Sequence, residues 1–287
     1  MPYVKANGID IWYEVLGEGL PGTPLVMTHG FASASRVWRP DVEPLAGTRP
    51  VVMYDVRGHD RTTAPEDASE YSMPTFAADL ATLLRAIGIE RAHVGGVSMG
   101  GMVTAQFAVN YAEMCESVLL SDTTCGNRPG EGTTGAWEKR LIEGMGILSH
   151  MVQKYGFEET LRREDEWKQT NDRHIAESPY SFEDDMRRIN LMTMEGYLGA
   201  AHAIATRPDL TDRVREIKAP TLVMIGGWDD FLPCSRRDHE AIVGSRLVVR
   251  ERCGHGSRWR NETFVSEIEG FLADVEAGKA VAGERRV

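Results

Sequence analysis

Apolar residues in this chain gather into short unbroken runs, and the stretches between them carry apolar residues at helical spacing. Pro24-Leu25-Val26-Met27, Pro50-Val51-Val52-Met53-Tyr54, Arg91 to Val97, Ser117 to Leu120, Pro220-Thr221-Leu222-Val223-Met224-Ile225 and Arg246-Leu247-Val248-Val249 read as strands. Most lack the alternation of a half-exposed strand, so both of their faces are expected to be covered. Between them, Phe76, Leu80, Leu83, Leu84 and Ile87 mark one face of a helix that stops at Gly88, a fitting C-cap. Trp38 and Leu45 belong to another helical stretch, and 264–272 reads as a closing helix. Strands alternating with amphipathic helices imply an α/β fold with a mostly parallel central sheet. At the start, 4–15 reads as two strands joined at Asn7-Gly8, the pair a type I′ hairpin turn prefers.

The rhythm breaks between about 124 and 207. No strong strand appears there, and Trp137, Met145, Met151, Trp167, Met186, Met192, Met194 and Tyr197 are scattered among mixed charges. The expected organisation is a core of 1–123 and 211–287 with a helical cap over 124–210. Residues 278–287 read as a frayed tail.

With 287 residues, 42% hydrophobic and 26% charged, the chain can bury a large core. A net charge of −11 argues against a nucleic-acid or anionic-membrane surface. No signal peptide and no membrane span is read, and Cys115, Cys125, Cys234 and Cys253 lack paired spacing, which suggests reduced thiols and a cytoplasmic location. No cluster of His, Cys, Asp and Glu has metal spacing, so neither metal nor cofactor is expected. Oligomeric state is left open.

The chemistry concentrates at Gly96-Val97-Ser98-Met99-Gly100, a Gly-x-Ser-x-Gly segment between a predicted strand and a predicted helix. So sharp a turn lifts the Ser98 hydroxyl clear of the sheet and points the next helix's amides at it. A serine hydroxyl is a weak nucleophile until a base takes its proton, and that base needs an orienting partner. Asp229 follows the resumed strand in Gly226-Gly227-Trp228-Asp229-Asp230, and His255 follows the next in Cys253-Gly254-His255-Gly256. Asp230 and Asp122 compete for the acid's role; the spacing to Gly226 and Pro233 favours Asp229.

These pieces resemble the α/β-hydrolase superfamily over nearly the whole chain: His29-Gly30, Asp55-Val56-Arg57-Gly58-His59, the Ser98 turn, Gly226-x-x-Asp229-x-x-x-Pro233 and Gly254-His255. The resemblance implies Ser98 as nucleophile, His255 as general base and Asp229 as orienting acid. It also implies an oxyanion hole from the backbone amides of Phe31 and Met99. The chain departs from the family at Asp60, where glycine is usual, and Asp is expected to hold the same left-handed turn. His29 is expected to brace the oxyanion loop and His59 the neighbouring turn. His93, His150, His174 and His239 read as surface or packing residues, while His202 is a candidate for the pocket.

The serine turn looks like that of 3-oxoadipate enol-lactonases and small-molecule esterases, so an ester or lactone of a small molecule is the expected substrate. Arg252-Cys253-Gly254-His255 with Trp259 is instead similar to meta-cleavage-product hydrolases, which break carbon–carbon bonds. Those usually carry asparagine where Val97 stands and a Gly-rich loop where Phe31-Ala32-Ser33-Ala34-Ser35 stands. Acyl transfer to another alcohol and perhydrolysis share the triad; a receptor or scaffold role on this fold usually accompanies loss of a triad member. Phe31, Trp137, Met145, Met194, Tyr197 and Phe231 are expected to line an apolar pocket. The few basic residues expected near it give no clear anchor for a substrate carboxylate.

Overall fold

The computed structural model describes residues 2–171, 174, 181–256 and 261–287. Its centre is a nine-stranded sheet in the order β1-β2-β4-β3-β5-β6-β7-β8-β9. The strands are β1 (Tyr3–Ala6), β2 (Ile9–Leu16), β3 (Leu25–Thr28), β4 (Val51–Tyr54), β5 (Ala92–Val97), β6 (Cys115–Ser121), β7 (Thr221–Gly226), β8 (Arg246–Arg250) and β9 (Gly283–Arg286). The hairpin β1–β2 and the β2–β4 pair are antiparallel, and every later pairing is parallel. Asn7 and Gly8 both take positive φ, as the type I′ turn demands.

Eight helices lie among the described residues: α1 (Ser35–Val42), α2 (Met73–Ala86), α3 (Met99–Asn110), α4 (Gly132–Asn171), α5 (Phe182–Ile189), α6 (Met194–Ala205), α7 (Leu232–Ala241) and α8 (Asn261–Glu276). Helix α2 starts on the Ser72 side chain, which accepts from the Thr75 amide, and Pro74 sits where its missing N–H costs nothing. Alternate residues of each central strand feed opposite cores. Val26 and Val52 pack with Phe76, Leu80 and Phe107 of α2 and α3. Their neighbours Leu25, Met27, Val51 and Met53 pack with Trp38 of α1 and Phe264, Ile268 and Phe271 of α8. This two-sided covering explains the uninterrupted apolar runs.

Between β6 and β7 the chain carries α4, α5 and α6, which wall a cavity facing the carboxyl ends of the strands. Helix α4 breaks at Gly156, whose φ of 76° and ψ of 174° are not helical.

The expected frayed tail is not what the structure shows. Residues of β9 run parallel to β8, with Glu251 N–H donating to Val287 O at 2.7 Å and Val287 N–H to Val249 O at 3.0 Å. Gly-Glu-Arg-Arg carries no apolar pattern because the strand is held by main-chain bonds at the sheet edge, and its side chains are exposed.

Candidate active site

Ser98 stands where β5 gives way to α3, with φ 56° and ψ −119°. Few non-glycine residues hold such angles, and the surroundings fix them here. The Ser98 amide donates to Ser121 O at 2.9 Å, and its carbonyl accepts from Thr123 Oγ1 at 2.7 Å. The flanking glycines are required by space: a Cβ at Gly96 would lie 2.3 Å from Gly100 O, and one at Gly100 2.2 Å from Thr28 O.

Two other loops bring their groups to this turn. His255 Nε2 is 2.9 Å from Ser98 Oγ, and His255 Nδ1 is 2.8 Å from Asp229 Oδ2. The second Asp229 oxygen accepts from the Phe231 amide at 2.8 Å, so the carboxylate cannot swing away. A carboxylate against Nδ1 keeps the proton there and leaves Nε2 to accept from the serine. The loops are laced together, with Trp228 N–H donating to Cys253 O at 2.9 Å and Gly227 N–H to Arg250 O at 2.8 Å. Asp230 is exposed beside Asp229. Asp122 faces elsewhere, accepting from Arg250 Nη2 at 2.9 Å and the Gly226 amide at 3.0 Å.

Phe31 and Met99 flank Ser98 on the cavity wall. Among the described residues the backbone amides of both find no acceptor in the chain. His29 holds the first of these loops: its Nδ1–H donates to Gly30 O at 2.8 Å and its Nε2 accepts from the Val56 amide at 3.0 Å. That pattern needs a neutral ring, and burial lowers the His29 pKa accordingly. His59, 4.9 Å from it between ring centres, is pushed down to about 3 by burial. Asp60 takes φ 43°, the left-handed turn expected of it, and accepts from Arg36 Nε at 2.6 Å.

The cavity has a volume of about 330 Å³. Ser98, His255, Phe31, Met145, Tyr197 and Phe231 all contribute to its wall. Trp137 and Met194 do not. Trp137 packs behind Phe231 with tilted rings, 3.8 Å between ring centres, and Met194 packs into the cluster of Val152, Leu161 and Ile189. Both point from helix faces that serve packing, a distinction that residue type cannot carry. His202 is exposed rather than part of the wall, and Trp259 lies outside the described residues.

Five charged residues on the wall escaped the sequence reading: Asp41 of α1, Glu164 and Lys168 of α4, and Asp185 and Arg188 of α5. Lys168 Nζ is 3.5 Å from Asp185, which also accepts from Arg188. Two cations therefore border the cavity, where few basic residues and no clear carboxylate anchor are expected from the sequence, and both are engaged with Asp185. Their spacing in a polar helix reads as a solvated face, so only the fold reveals them.

Residues 23–142 match the profile of the alpha/beta hydrolase fold family. An enol-lactonase from Burkholderia xenovorans superposes with a TM-score of 0.72 at 25% identity, covering 95% of this chain and 100% of that one. The chain has the α/β-hydrolase fold. The chain is also 29% identical over 265 residues to a 2-hydroxy-6-oxo-6-phenylhexa-2,4-dienoate hydrolase of Comamonas testosteroni, spanning 87% of this chain and 86% of that protein. It is 24% identical over 292 residues to a proline iminopeptidase of Lactobacillus acidophilus, spanning 95% and 94%. No helix among the described residues is long and apolar enough to cross a membrane.

His255 carries the strongest electrostatic signature of the site. Its side chain is 42% exposed and forms part of the cavity wall, with protein enclosing the rest of the ring. That enclosure works against the imidazolium, but the charge and hydrogen bond of Asp229 outweigh it. Asp122 adds to the lift and Arg188 opposes it, and the pKa is pushed up to about 9.

Proposed function

We propose that this α/β-hydrolase cleaves a carboxylic ester or lactone of a small molecule through a serine acyl-enzyme. The observation that carries the reading is the unbroken relay from Ser98 Oγ through His255 to Asp229, with contacts of 2.9 and 2.8 Å, opening on a substrate-sized cavity. Ser98 Oγ attacks the acyl carbon while His255 Nε2 takes its proton. The amides of Phe31 and Met99 receive the developing oxyanion, and such preorganised donors are commonly worth ~3 kcal/mol each. His255 then returns the proton to the leaving alkoxide, and a water activated by the same ring releases the acid. Asp229 holds the ring's tautomer and balances its charge. No step calls on a metal or organic cofactor. Helices α4 to α6 serve as the cap.

The likeness to an enol-lactonase supports this reading, since an enol-lactone is a cyclic ester that the same attack opens. The test is turnover of p-nitrophenyl esters from acetate to decanoate, with ω-carboxylate esters added because Lys168 and Arg188 border the cavity. A fluorophosphonate should add once, to Ser98, by intact mass and peptide mapping. A wild-type chain that neither turns over esters nor takes up the probe would overturn the proposal.

The pH dependence follows from the sign of the His255 shift. Only the neutral ring can act as base, and its pKa lies above the ordinary 6.5. Below about 9 the protonated, inactive form therefore dominates, and kcat/KM is expected to climb about tenfold per pH unit before levelling. An initial-rate profile with ionic strength held constant reads this directly; a plateau already reached at pH 6 contradicts it.

We assign Phe31, Met145, Tyr197 and Phe231 to the substrate wall. Met145→Ala removes a flexible side chain from α4 and enlarges the cavity. The expected optimum moves toward longer acyl chains, with kcat/KM for short esters falling about tenfold for ~1.4 kcal/mol of lost contact. An unchanged chain-length profile would remove Met145 from the acyl pocket.

A further inference from the structure

Asp122 and Arg250 form a fully buried ion pair that the proposed reaction does not use. Burying two charges seldom improves stability over an apolar pair of the same size, so the value of this pair lies in where its hydrogen bonds go. Asp122 directly follows β6 and takes the left-handed region, at φ 46°. Its amide donates to Met224 O at 2.8 Å, and its Oδ1 accepts from the Gly226 amide at 3.0 Å, three residues before Asp229. Arg250 Nη2 reaches Asp122 Oδ2 at 2.9 Å and Gly256 O, the residue after His255, at 3.4 Å. Ser121, the residue before Asp122, accepts from the Ser98 amide through its carbonyl. One ion pair thus touches the backbones of the acid loop and the histidine loop, and sits one residue from the anchor of the serine turn.

We propose that Asp122 and Arg250 are positioning residues for the Ser98–His255–Asp229 site, a strut that fixes the two loops on β6 and adds a second fixed negative charge on the strand side of His255. The proposal rests on the reading of that site as catalytic. Burial raises the Asp122 carboxyl above its ordinary value, Arg250 at salt-bridge distance pulls it back, and Asp229 adds to the rise. Among the described residues, the charged groups around His255 are Asp229, Asp122 and Arg250 on the strand side and Asp41, Glu164, Lys168, Asp185 and Arg188 across the cavity. Of these, Asp229 and Asp122 raise the His255 pKa, and Arg188 lowers it.

Asp122→Asn keeps the shape and the acceptor for Gly226 while removing the charge. Because it strands Arg250, the double variant Asp122→Asn/Arg250→Met is made beside it, leaving no unpaired buried charge. The first readout is the titration of His255 in the ¹⁵N-histidine-labelled full chain, assigned by the signal that His255→Gln removes. The second is the pH profile of ester turnover. In both variants His255 is expected to titrate at lower pH than in the wild type, and kcat to fall about 10- to 100-fold through misplacement of the relay. An unmoved titration, even alongside a lower melting temperature, would make the pair merely structural and overturn the proposal. The titration needs no turnover, so absence of ester activity would defeat the proposed reaction while leaving this inference to be decided by the NMR shift.

Discussion

Replacing Ser98 by alanine is expected to lower kcat for any ester the chain hydrolyses by about 10⁵-fold or more. The size of the effect follows from what Oγ does. It forms the covalent bond to the acyl carbon, and neither the oxyanion amides nor His255 can substitute for that bond. What survives is the acceleration from binding and oxyanion stabilisation with water as nucleophile. Folding should be spared, because among the described residues Ser98 Oγ bonds only to His255 Nε2, and the bonds that shape the turn come from the Ser98 backbone. The measurement is steady-state turnover and thermal melting, side by side. A variant that melts like the wild type yet retains more than a hundredth of its kcat would remove Ser98 from the nucleophile's role.

The parts of the fold legible from the chain are those where one residue type has one physical use. Apolar runs such as Val51 to Met53 admit no solvent-facing side, so they announce a covered strand. Gly96 and Gly100 announce a crossing of backbones, and the crossing is there, with carbonyl oxygens where a Cβ would stand. Ser98, Asp229 and His255 each follow a strand, and a parallel sheet collects strand ends along one edge.

What was not legible depends on long-range placement. Trp137 and Met145 lie two turns apart on α4, yet one packs behind Phe231 and the other faces the cavity. The sequence holds no local sign of that difference. Lys168 and Arg188 read as surface charges because the acids that accompany them are equally consistent with water. Helix α7 was unread since Arg236, Arg237 and Asp238 break its apolar stripe; Arg237 spends its charge on buried Glu138 at 2.7 Å. The last strand escaped because main-chain bonding at a sheet edge leaves no mark in side-chain composition.

Asp229→Asn is the second large effect, expected to lower kcat about 10⁴-fold at neutral pH with the chain still folded. An asparagine amide can present its NH₂ to His255 Nδ1, which reverses the direction of that bond. The ring proton then moves to Nε2, where the Ser98 proton must go, and the base is lost. The imidazolium formed during attack also loses its compensating charge. Since Asp229 is what lifts His255 toward about 9, the residual activity should reach its plateau at lower pH than in the wild type. Asp230→Asn, one residue on and exposed, should change neither quantity. Asp122 is the informative rival, because it too is a buried carboxylate whose charge reaches His255. Near-normal kcat in Asp229→Asn, combined with collapse in Asp122→Asn, would transfer the orienting role to the end of β6. The contact geometry favours the opposite result: Asp229 touches the ring at 2.8 Å, while the Asp122 oxygens are taken by Arg250 and Gly226.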